Sequence, residues 1–301
     1  MSTTPTFALP PSFLGTGSRD PAARFVVAGF PFDLGTTNRA GARAGPAAIR
    51  AASRMLVDGD NPAFWRDPAR LDLADIGDVP PVLGDIPASL ARFAEQAGAF
   101  RHLIALGGDH TVTLALLRAV VRRLGRPVGL LHFDAHLDTW PDNFGQSLAH
   151  GSVFRHALDE GLVEPRRMVQ VGIRSPVQRE VWDWTVGQGV SILTAQDVHG
   201  AGTDAVAAHV RAVLGDRPAY LSFDIDALDP AFAPGTGTPE IGGLASWQAQ
   251  AILRRLAGLN FVGADVVEVA PAYDVAEITA LAGATIAWEY LALLAAAPAA
   301  R

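Results

Sequence analysis

The sequence predicts an α/β fold in which a parallel sheet carries helices on both faces. Three observations lead there. Short apolar runs alternate with segments of helical periodicity. The runs are continuously apolar, as in strands buried on both sides. Hydrophobic residues make up 49% of the 301 and charged residues 18%, enough for a large core and too apolar for a disordered chain.

Residues 1–22 are rich in Pro, Ser, Thr and Gly and lack the apolar stretch of a secretory signal. They read as a flexible or surface-draped arm, and residues 23–301 as a single domain. Strands are expected at Arg24 to Gly29, Leu71 to Ile76, His102 to Leu106, Val128 to Phe133 and Met168 to Val171. Three more are expected at Val190 to Leu193, Tyr220 to Phe223 and Phe261 to Val267. Helices are expected at Ser89 to Phe100, with Ser89 as N-cap, at Thr111 to Leu124, at Asp204 to Leu214 and at Ser246 to Leu256. The last segment, about Glu277 to Ala297, is long and apolar but carries Glu289 near its middle. A lipid-facing carboxylate is costly, so it reads as a buried or interface-packing helix of a cytoplasmic protein.

Composition removes several chemistries. The chain has no cysteine, which excludes disulfides, thiolate metal sites and cysteine nucleophiles. All 24 basic residues are arginine, which excludes lysine Schiff bases and Walker-type lysines. A net charge of -7 argues against nucleic acid as a partner. The chemistry falls to carboxylates, histidines, hydroxyls, arginine or a metal.

In parallel sheets ligands bind beyond the carboxyl ends of the strands. After HLIAL comes Gly107-Gly108-Asp109-His110; after VGLLHF comes Asp134-Ala135-His136-Leu137-Asp138. After YLSF comes Asp224-Ile225-Asp226, and after FVGADVV comes Glu268. If the chain stays extended, Asp134, His136 and Asp138 share one face, as do Asp224 and Asp226. A single Asp-x-Asp after a strand is more often a turn device, but this many ionisable groups at one buried rim need a counter-charge. Two divalent cations match the four carboxylates Asp134, Asp138, Asp224 and Asp226. Oxygen and imidazole ligands suit Mn²⁺, although raw affinity order favours Zn²⁺. A pair of ions at two-metal spacing needs Asp134 and Asp224 to bridge.

The joint pattern resembles the ureohydrolase family of arginase and agmatinase. It is carried by GGDH (107–110), DAHLDT (134–139), HG (150–151), SFDIDALDPAFAPGTGTPEIGGL (222–244) and DVVEVAPAYD (265–274). GTTNRAGARAGPAAIR (35–50) also resembles that family's early loop, and the likeness runs from about residue 24 to 295. The resemblance implies a three-layer α/β/α fold around a mostly parallel eight-stranded sheet and a two-manganese centre. One ion would take His110, Asp134, Asp138 and Asp224, the other Asp134, His136, Asp224 and Asp226. It implies a trimer or hexamer and a small guanidine substrate, with neither nucleic acid nor membrane as partner.

Within that family the chain is most similar to the bacterial agmatinase branch, through PAFAPGTGTPEIGGL and EVAPAYD followed by EITALAGAT. The turn Gly172-Ile173-Arg174-Ser175-Pro176 lacks the Asp by which arginases read an α-amino group. The family's His-Gly-Thr stands here as His150-Gly151-Ser152, and the preceding PDNFGQSLAH matches less well.

The expected reaction is hydrolysis of agmatine to putrescine and urea, by attack of a metal-bridging hydroxide on the guanidinium carbon. Glu268 would fork onto the guanidinium nitrogens, Asp138 would accept a hydrogen bond from the hydroxide, and His150 would carry a proton to the leaving amine. The rival substrate is 4-guanidinobutyrate or another ω-guanidino acid. An ammonium tail needs an acidic outer pocket, for which Asp142 is the candidate; a carboxylate tail needs a cation, for which Arg155 is. A non-catalytic protein of the same fold is the reading from another class, and the full set of ligands argues against it. Outside the site, His132 is expected to be a packed, hydrogen-bonded core residue. Asp109 and Asp229 are expected to make loop hydrogen bonds, and Arg39 and Arg43 loop or subunit contacts. Trp140 is expected to line either the core or the pocket.

Overall fold

The computed structural model describes residues 8 and 11–296. Eight parallel strands form one sheet: β1 (Phe25–Phe30), β2 (Leu73–Asp78), β3 (Leu103–Gly107), β4 (Val128–Phe133), β5 (Val163–Ile173), β6 (Ser191–Thr194), β7 (Ala219–Asp224) and β8 (Phe261–Val267). Their order is β2-β1-β3-β8-β7-β4-β5-β6, and every pairing is parallel. Among the described residues, nine helices accompany them: α1 (Gly45–Ser53), α2 (Ile86–Ala97), α3 (Val112–Leu124), α4 (Val153–Asp159), α5 (Arg179–Gln188), α6 (Ala195–Ala201), α7 (Thr203–Leu214), α8 (Ser246–Arg254) and α9 (Ile278–Ala296).

Alternate strand residues point to opposite faces, which splits the core in two. Val27, Ile104, Leu131, Phe223 and Val266 pack with α1 and α6 to α9. Val26, Ala105, Leu130 and Met168 pack with α2, α3 and α4 on the other face. The result is three layers, helix–sheet–helix, with strands apolar on both sides as the sequence predicts.

Several boundaries differ from the sequence reading. Helix α2 starts three residues earlier than Ser89, because Asp85 caps it by accepting a hydrogen bond from the Ala88 N–H at 2.8 Å. Ser89 lies inside the helix, its hydroxyl donating to Asp85 O at 2.7 Å. Helices α1, α4, α5 and α6 have no counterpart among the expected elements. Each is short and lacks a long apolar stripe. Helix α6 does carry a signal: Thr194 and Asp197 form a capping box, with Asp197 N–H donating to Thr194 Oγ1 at 3.1 Å and Thr194 N–H to Asp197 Oδ2 at 2.9 Å.

The described part of the expected arm is tied down. Phe13 and Leu14 are buried, and their N–H groups donate to Asp75 Oδ2 (2.7 Å) and Ser53 Oγ (2.9 Å). Asp75 is itself buried beside Arg50, whose guanidinium spans Asp75 and Asp78. An anchored Phe outweighs the flexible composition around it. Residues 1–7, 9 and 10, also assigned to the arm, lie outside the described residues.

Helix α9 is the one described helix long and apolar enough to cross a membrane, and two thirds of its most apolar window is buried within the molecule. Glu289 is buried too. It is reached by the Arg254 guanidinium and accepts from Asn61 Nδ2 at 3.0 Å. A carboxylate satisfied by two partners explains how α9 tolerates a charge in its middle.

Candidate active site

Strand register sets the site. Leu106 on β3 pairs with Val266 on β8, Val266 with Phe223 on β7, and Phe223 with Phe133 on β4. These four strands are the centre of the sheet and end level with one another. The segments just beyond their carboxyl ends therefore meet at one rim: residues 108–110, 134–138, 224–226 and Glu268.

The structure brings the six expected ligands together there. His110 Nδ1 faces Asp138 Oδ2 at 2.9 Å, Asp134 Oδ2 at 3.2 Å and Asp224 Oδ2 at 3.3 Å. His136 Nδ1 faces Asp226 Oδ2 at 3.1 Å and Asp134 Oδ1 at 3.2 Å. Asp134 thus stands between the two imidazoles. His110 Nδ1 is fully buried, and no hydrogen bond satisfies it despite the three carboxylate oxygens around it. A cation shared by those groups fits that arrangement. Two groupings within reach of one ion are found among the described residues: His110, His132 and Asp134, and Asp134, His136 and Asp226.

The route to this convergence differs from the extended chain expected. Asp138 has φ 53°, in the left-handed region, so the backbone turns before it reaches the rim. Asp226 lies in a helical turn (Ile225–Ala227) whose N-cap is Asp224, which accepts the Asp226 N–H at 2.9 Å. Chain reversal at the strand ends, rather than period-two alternation, points these side chains inward.

The protonation of the cluster reflects its crowding. Burial, with Asp226 and Asp134 alongside, holds the Asp224 carboxyl well above the usual range. Burial alone would lower His110 and His136, but the carboxylates beside them hold both imidazoles well above their ordinary value. Burial would raise Asp134, but His132, then His110 and His136, keep it well below the usual range.

A layer of partners stands behind the cluster. Ser222 Oγ lies 2.9 Å from His110 Nε2 and donates to Asp265 Oδ1 at 2.7 Å, so the far side of the ring is fixed. His132 is buried, as expected. Gln170 Nε2 donates to its Nδ1 at 3.0 Å, which leaves the proton on Nε2 to be donated to Asp134 Oδ2 at 2.7 Å. With one nitrogen engaged and the other protonated, His132 supports Asp134. Arg174 donates to Glu240 O at 2.6 Å and Asp226 O at 2.8 Å, clamping the turn beside the site.

Glu268 also has a left-handed backbone, φ 64°. Its Oε1 accepts from His110 N–H at 2.8 Å and lies 3.0 Å from His150 Nδ1, while Oε2 is buried without a partner. Burial would lower the His150 imidazole, but Glu268 overrides it and raises it to about 9. His150 reaches this place because Gly151 lies against Asn143; a Cβ there would stand 2.6 Å from Asn143 Nδ2. The Ser152 hydroxyl closes the turn, donating to Ser147 O at 2.6 Å.

A cavity of 390 Å³ opens onto the rim. Its inner wall includes His136, Asp138 and His150; its outer wall includes Trp140, Asp142 and Gln178. Trp140 therefore lines the pocket, its Nε1 donating to Gln178 Oε1 at 2.6 Å. Arg155 does not line it: the guanidinium donates to Asp159 at 2.9 Å and lies 4.0 Å from the Trp184 ring centre. Asp109 and Asp229 accept backbone N–H groups, from Gly35 and from Gly242 among others. Arg43 pairs with Asp33, and Arg39 lies over Tyr273.

A profile of the arginase family matches residues 23–292. The chain belongs to the arginase family. It is 46% identical to an agmatinase of Enterobacter sp. (strain 638) over 283 residues, which is 92% of this chain and 89% of that protein. The structure of a hypothetical agmatinase from Burkholderia thailandensis superposes with a TM-score of 0.90 at 44% identity, covering 96% of this chain and 92% of that one. Proclavaminate amidino hydrolase from Streptomyces clavuligerus gives a TM-score of 0.91 at 38% identity, covering 98% and 100%. This arginase-family chain is a ureohydrolase acting on linear guanidino compounds.

Proposed function

We propose that the chain is a manganese-dependent agmatinase, cytoplasmic and homo-oligomeric (trimer or hexamer), that hydrolyses agmatine to putrescine and urea. The observation that carries the choice of substrate is the outer wall of the cavity. Asp142 stands there, and neither arginine nor lysine lines the cavity among the described residues. An ammonium tail suits that wall, and the carboxylate of a guanidino acid would face Asp142 without a cation. The similarity to agmatinases supports the same choice.

His110, Asp134, Asp138 and Asp224 would hold one Mn²⁺, and Asp134, His136, Asp224 and Asp226 the other. Bound there, the two ions neutralise four carboxylates and make water a strong nucleophile near neutral pH. The rest falls to the chain. Glu268 offers its unpartnered Oε2 to the guanidinium nitrogens, which are always protonated, and holds the central carbon over the rim. Asp138, 2.9 Å from His110, orients the attacking water by accepting its hydrogen bond. His150, held protonated by Glu268, gives its proton to the amine as the C–N bond breaks and recovers one from the attacking water. The balance closes without added acid or base: one guanidinium and one water give one ammonium and one urea.

Urea release tests this, with agmatine, 4-guanidinobutyrate, 3-guanidinopropionate and L-arginine offered in parallel to Mn²⁺-loaded protein. Agmatine is expected to lead the acids by about 30-fold in kcat/KM, from an attraction and an avoided repulsion of about 1 kcal/mol each at the exposed Asp142. A lead by 4-guanidinobutyrate would overturn the substrate and leave the ureohydrolase.

A further inference from the structure

We propose that the Thr37 hydroxyl relays the proton between His150 and the nitrogen that leaves the substrate. This role rests on the reading of His150 as proton carrier. Both nitrogens of that imidazole are engaged. Nδ1 lies 3.0 Å from Glu268 Oε1, while Nε2 lies 2.8 Å from Thr37 Oγ1 and accepts from the Thr37 N–H at 3.3 Å. The ring is 7% exposed, whereas Thr37 is exposed and lines the cavity. The hydroxyl thus stands on the cavity side of Nε2.

A hydroxyl suits the position because it both donates and accepts. When His150 is neutral with its proton on Nδ1, Nε2 accepts from the Thr37 O–H. When His150 is charged, Nε2–H donates to Thr37 Oγ1. In the transfer the Nε2–H bond breaks and a new O–H bond forms on Thr37. The original hydroxyl proton passes to the leaving nitrogen, which keeps the electron pair of the breaking C–N bond. Thr37 ends as it began, and His150 ends neutral.

The loop that carries Thr37 is fastened to the site. Gly35 N–H donates to Asp109 Oδ2 at 2.8 Å, and His150 N–H donates to Gly35 O at 3.1 Å. A Cβ at Gly35 would lie 2.1 Å from Thr111 Oγ1, so only glycine lets the loop come this close. Thr37 is 113 positions from His150 in sequence, and the two meet only in the fold.

The test measures kcat and KM for wild type, Thr37→Val, Thr37→Ser, His150→Asn and the Val/Asn double variant. The substrate is whichever guanidino compound the wild type turns over, so a wrong substrate assignment does not obscure the result. Thr37→Val is expected to lower kcat about 30-fold with KM within about twofold, and Thr37→Ser to recover most of that loss. The double variant is expected to be no slower than His150→Asn alone, since both act on one proton path. Wild-type kcat in Thr37→Val, an equal loss in Thr37→Ser, or losses that multiply in the double variant would each overturn the relay. Wild-type kcat in His150→Asn would overturn the underlying role of His150 and the relay with it.

Discussion

Asp138 and Glu268 hold left-handed backbones at φ 53° and 64° without the freedom of glycine. Such strain costs on the order of 1–3 kcal/mol per residue and persists where the surroundings over-determine it. Both side chains face the rim. Asp142, at the outer wall, gives a prediction at this scale. It is exposed, so its attraction for an ammonium is worth about 1 kcal/mol. Asp142→Asn should raise KM for agmatine about fivefold and leave kcat within about twofold, read by steady-state urea release. An unchanged KM would remove Asp142 from tail recognition. The six ligand candidates, Glu268 and His150 are legible in the sequence because each comes after a recognisable apolar strand or within a short motif. The roles of Ser222, Asp265, Gln170 and Thr37 are not, although all but Gln170 lie within recognisable motifs. Their importance lies in cross-strand register and loop return, which no local pattern encodes.

Among the elements, the central strands are the clearest, with β4 and β8 legible to the residue, because continuous apolar runs between turns are unambiguous. The short helices are least clear; α6 owes its form to its capping box, and α1 and α4, which have no side-chain cap, to tertiary contacts. Helix α9 shows how a local reading needs its partner. Its surface is apolar nearly all round, and Glu289 becomes intelligible only beside Arg254 of α8 and Asn61. Truncating that carboxylate leaves the buried Asn61 amide and the partly buried Arg254 guanidinium short of an acceptor. Glu289→Ala should cost about 3 kcal/mol and lower the thermal midpoint by roughly 5 °C for a chain of this size. Scanning calorimetry or a circular dichroism melt reads this. An unchanged midpoint would show that the pair contributes no net stability.

Across the whole molecule, the order β3-β8-β7-β4 places four strand ends side by side at the middle of the sheet, although they come from distant parts of the chain. Two cores hold the sheet rigid from either face, and so fix the spacing of six ionisable side chains that would otherwise repel. Parallel strands meeting at one rim are expected from the sequence; which strands are neighbours is not, because strand order leaves no trace in local composition. His110 and His136, held protonated well above their ordinary value by the carboxylates, must release those protons to act as ligands. Cation affinity should therefore weaken as the pH is lowered.

The measurement that bears most directly on this enzyme is a Mn²⁺ titration of chelator-stripped protein, with bound metal and urea release from agmatine followed together. Activity should rise to its limit at two ions per chain, and the titration should shift to higher Mn²⁺ when the pH is lowered below neutrality. Full activity in protein stripped of metal, or saturation at one ion per chain, would contradict the two-ion centre.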